Sequence, residues 1–168
     1  MTPAIHCQSI VKDRIPTSAD VIVGRQDARL ASFQTLVGTS NLGKSPVIVF
    51  SDVGGQPPHP SLLLDYPMVQ VFVQGPSKST GYTVTYDAIR AVQDILLGLD
   101  PQLAPGEGGD WIVAINGLGA ISYLGTNPVT QEMHQFTWNL QMIIEPAATR
   151  STNRIPIPGA NPQAILTA

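Results

Sequence analysis

The chain has 168 residues, 43% of them hydrophobic and only 12% charged, with 15 Gly and 15 Pro. That composition suits one loop-rich globular domain and leaves too little chain for two well-filled cores. Nine Lys and Arg against 12 Asp and Glu give a net charge of −3, and Cys7 is the only cysteine; tight binding of phosphate backbones is disfavoured, and an intramolecular disulfide or a Cys-rich zinc site is excluded.

The opening MTPAIHCQSIVKDR lacks a basic stretch followed by a long apolar one, and no apolar run reaches the roughly 18 residues a span needs, so neither a signal peptide nor a membrane helix is expected. A helix is predicted within residues 3 to 12, and another over Ala28 to Leu36. β-branched runs predict strands at Val21 to Val23, Val47 to Phe50, Met68 to Val73, Trp111 to Ile115, Ala120 to Leu124 and Phe136 to Ile144. The clearest helix covers residues 82 to 98, after the turn-forming GPSKSTG, with Ser79, Thr83 or Thr85 as N-cap candidates. Ala88, Ile89, Val92, Ile95, Leu96 and Leu99 recur there at spacings of three and four, while Asp87, Arg90, Gln93 and Asp94 share the other side. In the last strand Phe136, Trp138, Leu140 and Met142 alternate with Thr137, Asn139 and Gln141, the period of a strand with one buried face.

Gly117-Leu118-Gly119 and Gly125-Thr126-Asn127-Pro128 read as turns joining the last three strands into an antiparallel meander. Strands, a helix, then strands make an α+β fold, a mostly antiparallel sheet packed by the 82 to 98 helix. The expected organisation is a single domain over residues 1 to 146, followed by an extended, proline-rich tail over 147 to 168. In that tail Ile155, Ile157 and Leu166 are the candidate apolar anchors for a neighbouring subunit or partner.

Two glycine motifs, three histidines and one cysteine are the candidates for chemistry. Gly38-Thr-Ser-Asn-Leu-Gly-Lys44-Ser45 matches the phosphate-loop pattern, yet the mechanism needs a helix directly after the loop, and Pro46-Val47-Ile48-Val49-Phe50 reads as a strand. Gly117-Leu-Gly-Ala-Ile-Ser122 lacks the third glycine of a dinucleotide fingerprint. His6, His59 and His134 have neither ligand spacing nor a nucleophile motif beside them, and each is expected to be a surface or half-buried residue. Cys7, beside His6, reads as a buried apolar cysteine rather than an activated thiol. No catalytic residue, cofactor or metal site is predicted.

The most distinctive stretch is Val47-Ile-Val-Phe-Ser-Asp-Val-Gly-Gly-Gln-Pro-Pro58, followed by Leu64-Asp-Tyr-Pro-Met-Val-Gln-Val-Phe-Val-Gln-Gly75 and the helix ending in Leu-Leu-Gly-Leu. With Trp111 to Ile115, Ser122-Tyr-Leu-Gly125 and the closing strand, it resembles the minor-capsid or tail-terminator proteins of long-tailed bacteriophages over residues 47 to 146. Residues 24 to 46 and the tail depart from that pattern. The resemblance implies a non-enzymatic ring, usually of six copies, located in the virion and assembled in the host cytoplasm. Such a ring caps the tail tube protein and joins it to a head–tail connector or stopper protein, and DNA passes through without specific binding.

Low charge agrees with that expectation, since a subunit that buries its flanks needs fewer charges to stay dispersed. The strand edges at Val69, Val71 and Val73, or along Phe136 to Ile144, are candidates for extending a sheet between copies. Residues 87 to 145 hold seven carboxylates against Arg90 alone. Of these Asp100, Glu107, Asp110 and Glu132 are candidates to face a DNA channel, because acidic walls repel the duplex. Two other readings stay open: a small nucleotide-binding protein using the Gly38 to Ser45 loop, and a monomeric adaptor acting through its tail.

Overall fold

The structure, a computed structural model, describes residues 2–15, 20–23, 46–59, 64–75, 81–105, 109–127 and 133–147. The expected helix at Ala28 to Leu36, the Gly38 to Ser45 loop, Glu107, Glu132 and the tail anchors Ile155, Ile157 and Leu166 lie outside these residues.

Helix α1 spans Pro3–Lys12, with Pro in its first turn, where the missing N–H costs nothing. Thr2 makes no side-chain cap; the Asp52 carboxylate accepts a 2.9 Å hydrogen bond from the Ala4 N–H instead. The helix is thus capped across the fold, by a residue of a distant strand. Strand β1 is Asp20–Val23, β2 Val47–His59 and β3 Leu64–Gln74. Helix α2, Gly81–Leu97, comes next, then β4 Gln102–Leu103, β5 Trp111–Gly117, β6 Ser122–Thr126 and β7 His134–Glu145. Since α2 begins at Gly81, Thr83 and Thr85 lie inside it, and the Thr85 hydroxyl donates to the Gly81 carbonyl rather than capping the helix.

The strands form one sheet in the order β1-β2-β3-β7-β5-β4, with β6 also on β7. Among the described residues only the β1–β2 pair is parallel. Ile48, Phe50, Val69, Val71, Val73, Phe136, Trp138, Leu140, Met142 and Ile144 belong to the core, and both helices contribute to the same cluster. From α2 come Ala88, Ile89, Val92 and Leu96, with Ile95 and Leu99 partly buried beside them, which is the face expected from the spacing. From α1 come Ala4, Cys7, Ile10 and Val11. The fold is α+β and mostly antiparallel, as the pattern of elements predicts.

Three expectations need correction. The first concerns free edges: β3 lies between β2 and β7, and β7 is paired by β3 on one side and by β5 and β6 on the other. Val69, Val71 and Val73 are fully buried, so their strand has no open edge to offer a second copy. The physical reason is the length of β7, whose 12 residues give room for two short strands in tandem.

The second concerns the meander. Gly117-Leu118-Gly119 is not a hairpin turn, because β5 and β6 do not pair with each other. They run in the same direction along one edge of β7: Gly117 stands opposite Leu140, the Leu118 N–H donates to the Asn139 carbonyl at 2.9 Å, and Ser122 stands opposite Thr137. The residues in excess bulge outward. Gly119 adopts a φ of +131°, open to glycine, and its carbonyl accepts a 3.2 Å hydrogen bond from the Trp138 indole.

The third concerns β2, expected only over Val47 to Phe50. It continues through Pro57 and Pro58 to His59, paired to β3 with register shifts between Asp52 and Gly55 and between Gln56 and His59. Its other neighbour, β1, stops opposite Phe50. Among the described residues no second strand pairs β2 beyond that point, and proline is tolerated on such an edge because no outward N–H has to be matched.

Candidate functional site

A corner of the molecule gathers three of its four tyrosines. Tyr82 and Tyr86 stand one turn apart near the start of α2, and Tyr123 comes from β6, directly opposite Phe136 of β7. Phe136 is buried; around it the centroids of Tyr82, Tyr86 and Tyr123 lie at 5.2, 5.6 and 5.0 Å. Tyr82 also meets Tyr123 and His134 edge-on, each at 5.4 Å. The Tyr123 hydroxyl and His134 Nδ1 are hydrogen-bonded at 2.9 Å.

These rings pack against one another, yet Tyr82, Tyr86 and Tyr123 remain 46%, 39% and 47% exposed. Leu124 and Leu118, from β6 and the bulge before it, are also exposed. A fixed, half-wet aromatic cluster offers apolar area at small entropic cost, together with hydroxyls for hydrogen bonds, which are the properties of a protein-binding surface. Sequence reasoning missed this corner. Tyr82 and Tyr86 at i and i+4, just outside the apolar stripe of α2, were the available signal.

Beneath the corner lies an uncharged clasp. Gln74, buried at the end of β3, accepts hydrogen bonds at its Oε1 from Asn127 Nδ2 at 3.2 Å and Gln135 Nε2 at 2.8 Å. The Gly75 N–H donates to the His134 carbonyl and the Asn127 N–H to that of Met133, so both ends of the β6–β7 connection are fixed to the sheet. From Gln135 to Gln141 the sheet face turned away from the helices carries no charge along β7: Gln135, Thr137, Asn139 and Gln141 follow one another there, with Gln70 opposite Asn139 and Glu145 only at the strand's far end.

A cleft of about 500 Å³ lies at the opposite end of β7. Pro3, Pro57, Pro58, Pro67 and Pro146 line it, together with Asp65 and Asp110. Asp110, a candidate channel residue, has other duties: one carboxylate oxygen lies 3.4 Å from His6 Nε2, and the other accepts from the Ala147 N–H at 3.1 Å. It ties the first helix to the chain leaving β7. His6 is buried, against the expectation of a surface or half-buried residue, because this pairing draws it in; its Nδ1 has no hydrogen-bond partner among the described residues. Asp100 is exposed, just after α2.

Cys7 is buried with its Sγ 3.6 Å from Met142 Sδ. Burial pushes its thiol far above the usual cysteine range, and the negative charge of Asp52 pushes the same way. The native protein should therefore resist a thiol reagent at pH 8 and react stoichiometrically only once unfolded in urea. Rapid labelling of the folded chain would contradict this placement. Among the described residues no three His, Cys, Asp or Glu side chains are grouped to hold a metal ion, and no helix is long and apolar enough to cross a membrane. The strand expected after Ser45 is there, β2 starting at Val47, so no helix N-terminus follows the Gly38 to Ser45 loop. Compared with known proteins, the chain matches no protein-family model, and no curated protein is significantly similar to it.

Proposed function

We propose that this chain is a structural subunit of a phage tail-terminator ring, capping a tail tube protein and meeting a connector or stopper protein on its other side. What supports the reading is the resemblance over residues 47 to 146, together with a layout of one amphipathic helix laid on a mostly antiparallel sheet. The observation that carries it is the aromatic corner. A chain with only 12% charged residues that also keeps Tyr82, Tyr86 and Tyr123 fixed and exposed has a surface suited to permanent contacts. The reaction-bearing alternative loses ground, since β2 takes the place of the helix that a phosphate loop requires.

Copies would meet through the corner and the uncharged amide face rather than through β3. In a closed ring every copy uses two different patches, head to tail, and these two surfaces belong to different sides of the sheet. DNA would pass with little retention, and of the acidic candidates Asp100 keeps an exposed position from which to face it.

Light scattering of the purified chain over a wide concentration range tests the proposal, with electron microscopy of the largest species. A discrete oligomer with rotational symmetry, close to six copies, is the expected result. A monomer at every concentration would overturn it.

A further inference from the structure

We propose that the proline-lined cleft at the end of β7 holds the Arg150 side chain of its own chain, so that the tail is fastened to the domain at its root. The inference stands apart from the ring reading. Pro146 is part of the cleft wall, and the next residue, Ala147, gives its N–H to Asp110 in the same wall. The chain beyond β7 therefore sets out from the cleft itself.

The cleft suits a cation that donates hydrogen bonds. Its five prolines present carbonyls and no N–H groups. Asp65 and Asp110 are the charged residues among those that line it, and both are negative. Asp110 already serves His6 and Ala147, whereas Asp65 makes no hydrogen bond or ion pair among the described residues. A guanidinium has five donors and no acceptor, and it can meet a carboxylate through two parallel hydrogen bonds. Beyond Glu145 the chain carries Arg150 and Arg154 and no Asp or Glu.

Reach and tethering select Arg150 of the same chain. Asp65 stands directly opposite Ile144, about 5 Å away across the β3–β7 pair. Arg150 follows the anchored Ala147 by three residues, a path of at most about 10 Å. A group on so short a tether has an effective concentration in roughly the millimolar range, which a second copy in dilute solution does not approach. Of the two carboxylates near this end of the sheet, Asp65 shares the face of Ile144 and opens on the cleft, while Glu145 belongs to the other face.

Trypsin reads the contact in the full chain, since it cleaves after Arg150 and after Arg154. In the native protein the bond after Arg150 should be cut at least about tenfold more slowly than the bond after Arg154, each rate taken relative to a synthetic peptide of residues 146 to 160. Asp65→Asn should speed the cut at Arg150 about fivefold and leave that at Arg154 unchanged. Glu145→Gln should alter neither. In the unaltered protein, raising NaCl from about 0.05 to about 0.5 M should weaken the protection, a reading that needs no variant. Protection should stay constant over about a hundredfold range of protein concentration. If Asp65→Asn opens the whole domain, cleavage after Arg90 within α2 rises with it, and the salt series and Glu145→Gln then carry the test. Equal relative rates at the two arginines, protection indifferent to Asp65→Asn or to salt, or protection lost in Glu145→Gln would each overturn the inference. Protection that grows with protein concentration would overturn it too, by assigning Arg150 to a neighbouring copy.

Discussion

Replacing Val92 or Leu96 by Asp is expected to destabilise the protein by at least about 3 kcal/mol, because either carboxylate would be buried without a partner. Both side chains are fully buried between α2 and the sheet. Against a total stability of about 5–15 kcal/mol for an ordinary domain, such a loss removes a large share of the folded population at moderate heat. Thermal melting should show midpoints lower by roughly 10 °C, at about 2–4 °C per kcal/mol for a chain of this length. Leu97→Asp, one position along and 45% exposed, is the matched control and should melt near the wild type. If all three variants behave alike, the helix does not bury the face described.

Gly75→Ala is expected to be nearly as damaging, for a different reason. A Cβ placed there would lie 1.6 Å from Thr85 Oγ1, 2.9 Å from Thr85 Cβ and 3.0 Å from the Gly81 carbonyl oxygen. Thr85 is fully buried, so its side chain has little space to turn away, and overpacking of this kind costs about 2–3 kcal/mol. Thr85→Ala removes the hydroxyl and leaves the Cβ, so it should relieve part of the clash. A double-mutant cycle in urea is the measurement: the double variant should be more stable than the sum of the single losses by at least about 1 kcal/mol. Simple additivity would show that the strain is relieved elsewhere.

The legible part of this fold was its periodicity. Ile89, Val92 and Leu96 on one helix face, and Phe136, Trp138, Leu140 and Met142 on one strand face, are local patterns that decide which side is inside. Pairing was not legible. Neither the tandem of β5 and β6 along β7 nor the interior position of β3 is written in any short window, because each depends on how long the neighbouring strand turns out to be. The same limit explains β2: its glycines and prolines signal a turn, and only the lack of a second strand beside it past Phe50, among the described residues, makes a continued edge strand possible there. The aromatic corner was hidden because Tyr82 and Tyr86 come 37 or more residues before Tyr123 in the chain, and only the fold brings the three together. Asp110 stood out as one more acid in a carboxylate-rich stretch. Its two hydrogen bonds tie together residues at the start and the end of the described chain, a relation without local trace.

The central place of β7 has a consequence for how the protein is made. During synthesis β3 emerges with β2 as a hairpin, its other edge carrying Val69, Val71 and Val73. The strand that closes this edge emerges much later, since Phe136 follows its partner Val73 by 63 residues. At about 5–20 residues per second, the ribosome leaves that edge unpaired for several seconds. A row of valines with free backbone groups is a template for any other unpaired strand, including the same edge on a neighbouring nascent chain. The finished molecule has no such edge at β3, so the hazard belongs to the incomplete chain. Products that stop before residue 134 would keep the exposed row permanently and are expected to aggregate under conditions where the full chain does not.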